Sequence, residues 1–189
     1  ARLDRSLGEL HMRKPMSSGA WGHVLRETVR RNRVRNGIVY LQVSRGEAER
    51  DFLFPSADTE PTVVCLARPQ NRERNETKAA AGIKVVSQPD PRWNRCDIKT
   101  VMLLPASLAK EKAKTTGAGE VWFTDDDGFV TEGGSSNAWI VTDAGELVTT
   151  PATNAILRGV TRMTVMDVAA EHQLMVVERQ FTLEEAHKA

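Results

Sequence analysis

Between Glu120 and Thr149 the sequence passes through four short apolar stretches punctuated by two aspartate-to-glycine turns, and this alternation limits the possible folds most tightly. Residues 120–124, 128–131, 137–142 and 146–149 are too short for helices, which need about 10–12 residues, but they suit strands. Asp126-Asp127-Gly128 and Asp143-Ala144-Gly145 each end in the glycine that a tight hairpin reversal favours. A run of hairpin strands excludes an all-helical bundle. Helical patterns on both sides of it make the chain a mixed α+β protein.

On the N-terminal side, Trp21, Val24, Leu25, Thr28 and Val29 fall on one face of a helix, which Ser17-Ser18-Gly19 caps and Asn36-Gly37 stops. Residues 37–46 alternate Val39, Leu41 and Val43 with Tyr40, Gln42 and Ser44, the period of a strand with one core face and one polar face. A second strand is expected at 61–68. Residues 69–78 hold almost nothing apolar and begin with proline, so a linker is expected there, dividing a small domain (1–69) from a large one (70–189). Beyond it come a short strand at 83–87 and an apolar strand at 97–104 containing one lysine. Pro105 opens a helix that runs to Gly117. After the hairpin strands the pattern predicts a helix over 161–172, a strand over 175–179 and the start of another helix.

Composition serves mainly to exclude. The 26 Lys+Arg and 25 Asp+Glu nearly cancel, but residues 1–50 carry 11 of the basic residues against 5 acidic ones. The basic run from Arg26 to Arg35 lies on the outer face of the first helix and has no interleaved aromatics to stack bases, so a nucleic-acid role is not expected. No apolar stretch approaches the ~20 residues of a membrane span. No secretory leader is visible. Two cysteines, Cys65 and Cys96, read as buried free thiols of a cytoplasmic protein. His11, His23, His172 and His187 lack ligand spacing, so no metal site is expected.

Three segments can carry chemistry. Lys99 has apolar neighbours on both sides, and an amine drawn from water loses proton affinity and becomes a usable nucleophile for a Schiff base. Taken alone, the pattern favours a lysine on the solvent face of an edge strand. Thr131-Glu-Gly-Gly-Ser-Ser-Asn137 presents one carboxylate, Glu132, on a turn of small residues; a solvated glutamate explains it equally well. Leu157-Arg-Gly-Val-Thr-Arg162 runs into a helix whose exposed N–H groups form an anion site, although many helices begin with glycine and threonine.

Together and in this order the segments are specific. "RWNRCDIKTVMLL" (Arg92 to Leu104), "VTEGGSSN" (Val130 to Asn137), "ILRGVTR" (Ile156 to Arg162) and "YLQVSRG" (Tyr40 to Gly46) resemble the fold-type IV pyridoxal-phosphate (PLP) enzymes. Within that family the Trp-x-Arg-Cys-Asp-Ile-Lys run is most similar to the D-amino-acid aminotransferases. The resemblance implies a two-domain α+β fold with pyridoxal 5'-phosphate in the cleft between domains, and a homodimer. It places Lys99 as the catalytic residue that forms the Schiff base, and Glu132 beside the cofactor's ring nitrogen. Val160 and Thr161 would hold the phosphate with Arg2, and Ser135 would lie on the cofactor-side loop. Tyr40 and Arg50 would line the substrate side, Arg50 gripping the α-carboxylate bidentately. The activity implied is transamination between a D-amino acid and a 2-oxo acid.

Two departures qualify the likeness. Phe52 stands where the D-amino-acid enzymes have a histidine that helps bind the carboxylate. The chain also starts at the phosphate arginine and ends before the family's closing strands, so the resemblance implies truncation at both ends. The rival readings are a branched-chain L-amino-acid aminotransferase or an aminodeoxychorismate lyase of the same fold, and a non-catalytic fragment.

Overall fold

A computed structural model of the chain describes residues 2–189. They group into two compact units, Leu3–Gly82 and Ile83–Ala189, and Arg2 is grouped with the second.

A helix not expected from sequence, α1 (Arg2–Glu9), opens the described chain; past Arg2 it belongs to the first unit, and it buries Ser6 and Leu7. The capped helix appears as α2 (Ser18–Arg31), with Ser17 Oγ accepting from the Ala20 N–H at 3.3 Å. Its expected apolar face is half-buried, and Arg26, Arg30 and Arg31 are exposed. Glu27 takes up the charge of two of these arginines, accepting from Arg30 at 2.7 and 2.8 Å and from Arg31 at 3.2 Å. Strands β1 (Gly37–Ser44) and β2 (Thr62–Pro69) pair antiparallel from Gly37↔Pro69 to Ser44↔Thr62. Burial on β1 does not follow the expected alternation: Ile38, Val39 and Tyr40 are all exposed. The reason is that this sheet has only two strands, too few to enclose one face fully.

The linker expected at residues 69–78 is instead the end of β2 and most of α3 (Arg72–Ala81), which belongs to the first unit. Low hydrophobicity hid a helix that local bonds can start. Asn71 caps it by accepting from the Arg74 N–H at 2.9 Å, and Arg72 pairs with Glu76 one turn on at 2.6 Å.

The second unit contains two three-stranded sheets. In one, β3 (Val85–Pro89) runs parallel to β4 (Glu120–Thr124), which pairs antiparallel with β5 (Val130–Gly133). In the other, β6 (Trp139–Val141) pairs antiparallel with β7 (Leu147–Thr149), and β7 runs parallel to β8 (Val176–Glu178). Parallel neighbours need a long crossover. Helices α4 (Leu104–Thr115) and α5 (Val160–Glu171) supply the two crossovers, and α6 (Leu183–Lys188) ends the chain.

Buried residues form two clusters, the second of which joins the two sheets. Ala109 and Ala113, one turn apart on α4, are small enough to let the helix pack closely against Val121 and Phe123 of β4. Val130, Ile140, Val148 and Phe181 form the other core, with Trp122 edge-on to Phe181 at 5.8 Å between ring centres. The chain leaves the carboxyl ends of β3 and β7 in irregular segments, the end of an α/β sheet where ligands usually gather. Lys99 and the start of α5 lie just beyond those ends. Among the described residues no helix is long and apolar enough to cross a membrane.

Candidate functional site

Lys99 is not on a strand. Residues 97–103 form turns and irregular backbone, held by Ile98 N–H to Arg95 O at 3.2 Å and Leu103 N–H to Val101 O at 2.8 Å. The apolar run that suggested a strand has no partner to pair with; Val101, Met102 and Leu103 are exposed while Asp97 and Ile98 are buried. The side chain of Lys99 keeps solvent contact, yet the protein packed around it displaces enough water to disfavour the ammonium. That burial, helped by the positive charge of Arg2 and opposed by Glu132, lowers the lysine's pKa.

Glu132 lies on β5 and is buried, rather than on the turn that its glycine neighbours suggested. The turn begins two residues later, at Gly134. Both carboxylate oxygens accept protein donors: Oε1 from Arg92 Nη1 at 2.5 Å, and Oε2 from Asn137 Nδ2 at 2.9 Å and the Leu157 N–H at 3.1 Å. Burial nevertheless raises the pKa of Glu132, since the ion pair with Arg92 is partly cancelled by the nearby negative charge of Asp90.

The loop after Glu132 is set by a second buried carboxylate. Glu120 Oε2 accepts from Ser135 at 2.9 Å and Ser136 at 3.1 Å, and Lys110 Nζ donates to both Glu120 at 3.2 Å and Ser135 at 2.9 Å. Burial works against the charge on Glu120, but the Val121 N–H, Ser135 and Lys110 hold its pKa below the usual range. The hydroxyl of Ser135 is thus already engaged in fixing the loop. A β-carbon on Gly133 would come within 2.3 Å of Ser136 Oγ, so the tight path of this loop depends on glycine there.

Helix α5 begins at Val160 after Gly159, and no side chain caps it. The first N–H groups of a helix have no intrahelical acceptor, so Val160 and Thr161 offer donors to an anion. Gly159 packs so closely on Asn137 that a β-carbon would meet Asn137 Oδ1 at 2.3 Å. Arg162, in the same first turn, is buried and donates from Nη2 to Thr150 O at 3.2 Å and Glu178 at 2.7 Å, which ties the start of α5 to the second sheet. Its Nε finds no partner among the described residues.

One cavity of about 580 Å³ collects these groups: Arg2, Lys99, Glu132, Ser135, Val160 and Thr161 all line it. The structure therefore brings together the six residues expected to hold the cofactor. Tyr40 and Arg50 belong to the first unit and are not among the lining residues. Tyr40 donates to Gln42 at 2.7 Å, and Arg50 lies over the ring of Phe52 at 5.8 Å. The cavity's chemistry suits a phosphorylated aromatic aldehyde: an amine of lowered basicity, a buried carboxylate for a ring N–H, and an uncapped helix start for a dianion. Sequence reasoning gave no role to Arg92 or Asn137, although both lie inside the motifs it singled out. Their roles depend on contacts 40 and 5 residues away, and only the approach of those segments in the fold reveals them.

Comparison with known proteins agrees with this geometry. Residues 1–189 match the family described as Amino-transferase class IV. The chain is 34% identical over 183 residues to a D-alanine aminotransferase of Staphylococcus haemolyticus, covering 97% of this chain and 64% of that protein. It is 35% identical over 185 residues to a D-alanine aminotransferase of Bacillus licheniformis, with 98% and 64% covered. Among solved structures, the branched-chain amino acid aminotransferase of Thermobaculum terrenum in its PLP form superposes with a TM-score of 0.81 at 26% identity, covering 98% of this chain and 61% of that one. A putative 4-amino-4-deoxychorismate lyase from Legionella pneumophila shares the fold at a TM-score of 0.83 and 21% identity, with 97% and 66% covered. The chain thus spans 61–66% of the length of these relatives, and with all of its residues matched it belongs to the class IV aminotransferases.

Proposed function

We propose that the chain is the cofactor-bearing part of a PLP-dependent aminotransferase that moves an amino group between a D-amino acid and a 2-oxo acid. The observation that carries this reading is the convergence of Lys99, Glu132 and the uncapped start of α5 on one cavity. Bound PLP supplies an aldehyde that takes up the substrate amine and a pyridine ring that draws electrons from its α-carbon.

The chain's own residues have separable tasks. Lys99 Nζ, made less basic by its surroundings, would hold the cofactor through its aldehyde and, as a free amine, would be the acid–base group for the substrate's α-proton. Glu132 would accept the ring N–H and keep the proton on that nitrogen. The Val160 and Thr161 N–H groups would donate to the phosphate, and the guanidinium of Arg2 would add charge to the same anion site. Ser135 acts through loop shape, since its hydroxyl is held by Glu120 and Lys110.

On the substrate side, the family resemblance assigns Arg50 to the α-carboxylate and Tyr40 to the substrate's surroundings. Phe52 replaces a charge-assisted donor of roughly 1.5–3 kcal/mol, which corresponds to about a ten- to hundredfold weaker grip on D-alanine. Its ring favours larger or apolar D-amino acids. A homodimer and a cytoplasmic location complete the reading, the latter supported by the free thiols Cys65 and Cys96.

Borohydride reduction of the PLP-loaded protein, followed by peptide mapping, is expected to place the label on Lys99; a label on Lys84 or Lys110 overturns the assignment. Turnover with D- and L-forms of alanine, leucine and glutamate then tests the stereochemistry. Preference for L-leucine moves the protein to the branched-chain reading, which the apolar Phe52 also suits.

A further inference from the structure

Resting on the reading of Glu132 as the partner of the cofactor's ring nitrogen, we infer that Asp90 is a positioning residue that aims Arg92 at Glu132 and cancels the arginine's charge, so that Glu132 meets the ring as a full anion. Three side chains make the arrangement. Arg92 spans two carboxylates: its Nε and Nη2 donate to Asp90 Oδ1 and Oδ2 at 2.8 and 2.7 Å, while Nη1 donates to Glu132 Oε1 at 2.5 Å. All three are largely out of water, with side-chain exposures of 13% for Arg92, 14% for Asp90 and 7% for Glu132.

Asp90 is itself fixed. The Arg92 N–H donates to its Oδ1 at 3.0 Å and Thr131 Oγ1 donates to its Oδ2 at 3.0 Å. The guanidinium lies 4.7 Å above the ring of the core residue Phe123, and its Nη2 also reaches Ala155 O at 3.3 Å. A planar fork held on one edge by a carboxylate and on one face by an aromatic ring has a single direction left for Nη1, and Glu132 lies in it.

The charge balance explains why two carboxylates are needed. An arginine alone beside Glu132 would orient it but neutralise it, and a neutral pair attracts a ring N–H weakly in a low-dielectric site. With Asp90 present the three groups sum to one negative charge. Burial opposes the charge on Asp90, yet the bonds from Arg92 and Thr131 hold its pKa below the usual range, so it stays anionic. Its negative charge in turn increases the proton affinity of Glu132. The other charged groups acting near Glu132 are Lys99, which lines the same cavity, and Arg2, which acts on Lys99.

Protein loaded with 15N-labelled PLP tests the inference by reading the ring nitrogen directly. Asp90→Asn leaves Arg92 and Glu132 as a neutral pair. Its ring 15N resonance is expected to move toward the unprotonated position, with kcat down about 10- to 100-fold and KM within about threefold. Arg92→Gln leaves two carboxylates; it should also lose kcat, but with the ring signal still protonated. The double variant Asp90→Asn/Arg92→Gln restores a single negative charge and should recover the protonated signal. Asp90→Glu should recover part of kcat. If Asp90→Asn fails to fold, the Arg92→Gln and double variants still decide between charge and structure. A wild-type ring signal in Asp90→Asn, or an unprotonated ring in the double variant, overturns the inference. Absence of a borohydride label on Lys99 in the wild-type protein instead overturns the cofactor reading beneath it.

Discussion

Among the described residues, the first unit contributes Ser6 and Leu7 to the fully buried set, and the second contributes all the others. The first unit is held mainly by backbone pairing and surface charge: the β1–β2 ladder, Arg13 with Glu60 at 2.6 Å, Lys14 with Asp4 at 2.8 Å, and Arg45 donating to the carbonyls of Leu10 and His11. The second is held by side-chain packing in two cores. The difference bears on function. Every group of the candidate cofactor site lies in the packed unit, where Glu132 is buried and held by three donors while Lys99, Ser135, Val160 and Thr161 keep contact with solvent. The residues assigned to substrate, Tyr40 and Arg50, lie on the loosely packed unit, where replacements disturb little. On the proposed assignment, substitutions at Tyr40 or Arg50 should disturb the fold less than substitutions at the buried Glu132.

The contrast can be broken by mutation. Phe181→Ala, at the centre of the second core, should destabilise the protein by about 3–5 kcal/mol in denaturant titrations, with amide protection lost first across β6 to β8. An equal loss across β1 and β2 would mean that the two units do not differ in this way. A smaller effect of about 1–3 kcal/mol is expected for Gly46→Ala. Gly46 has φ +104°, and a β-carbon there would come within 2.1 Å of Glu60 O, so the damage should appear as faster exchange of β1 and β2 amides. The smallest effect belongs to Arg13→Ala. Its partner Glu60 is 84% exposed in the side chain, and such pairs contribute about 0.2–1 kcal/mol, so added salt should erase the difference from wild type.

The same division governs how much could be read from sequence. The hairpin turns at Gly128 and Gly145 located β4 to β7 because turn chemistry is local and the strands it joins are adjacent. Helix α2 was legible from its spaced apolar face and from Ser17, again local signals. Helix α3 was not, because caps and ion pairs start it while its composition resembles a linker. The segment around Lys99 was misread as a strand, because an apolar run carries no information about whether a partner strand exists. For the site, motif order identified the residues that line the cavity. It was silent on Asp90, Arg92 and Asn137, whose part depends on contacts that span up to 63 residues. Residues that touch a ligand lie in recognisable motifs, whereas residues that aim them are visible only in three dimensions.

The close approach of Gly159 to Asn137 links the two ends of the site. Asn137 donates to Glu132 Oε2 and to Leu157 O at 2.8 Å, and the space beside its amide oxygen is available only because position 159 has no side chain. Any substitution at 159 displaces the amide and withdraws a donor from Glu132. A change at the start of α5 is thereby felt at the carboxylate of Glu132. In evolutionary terms the two positions share one degree of freedom. Across descendants of this sequence, 137 and 159 should drift together or not at all, and a graft that carries over one without the other should fail.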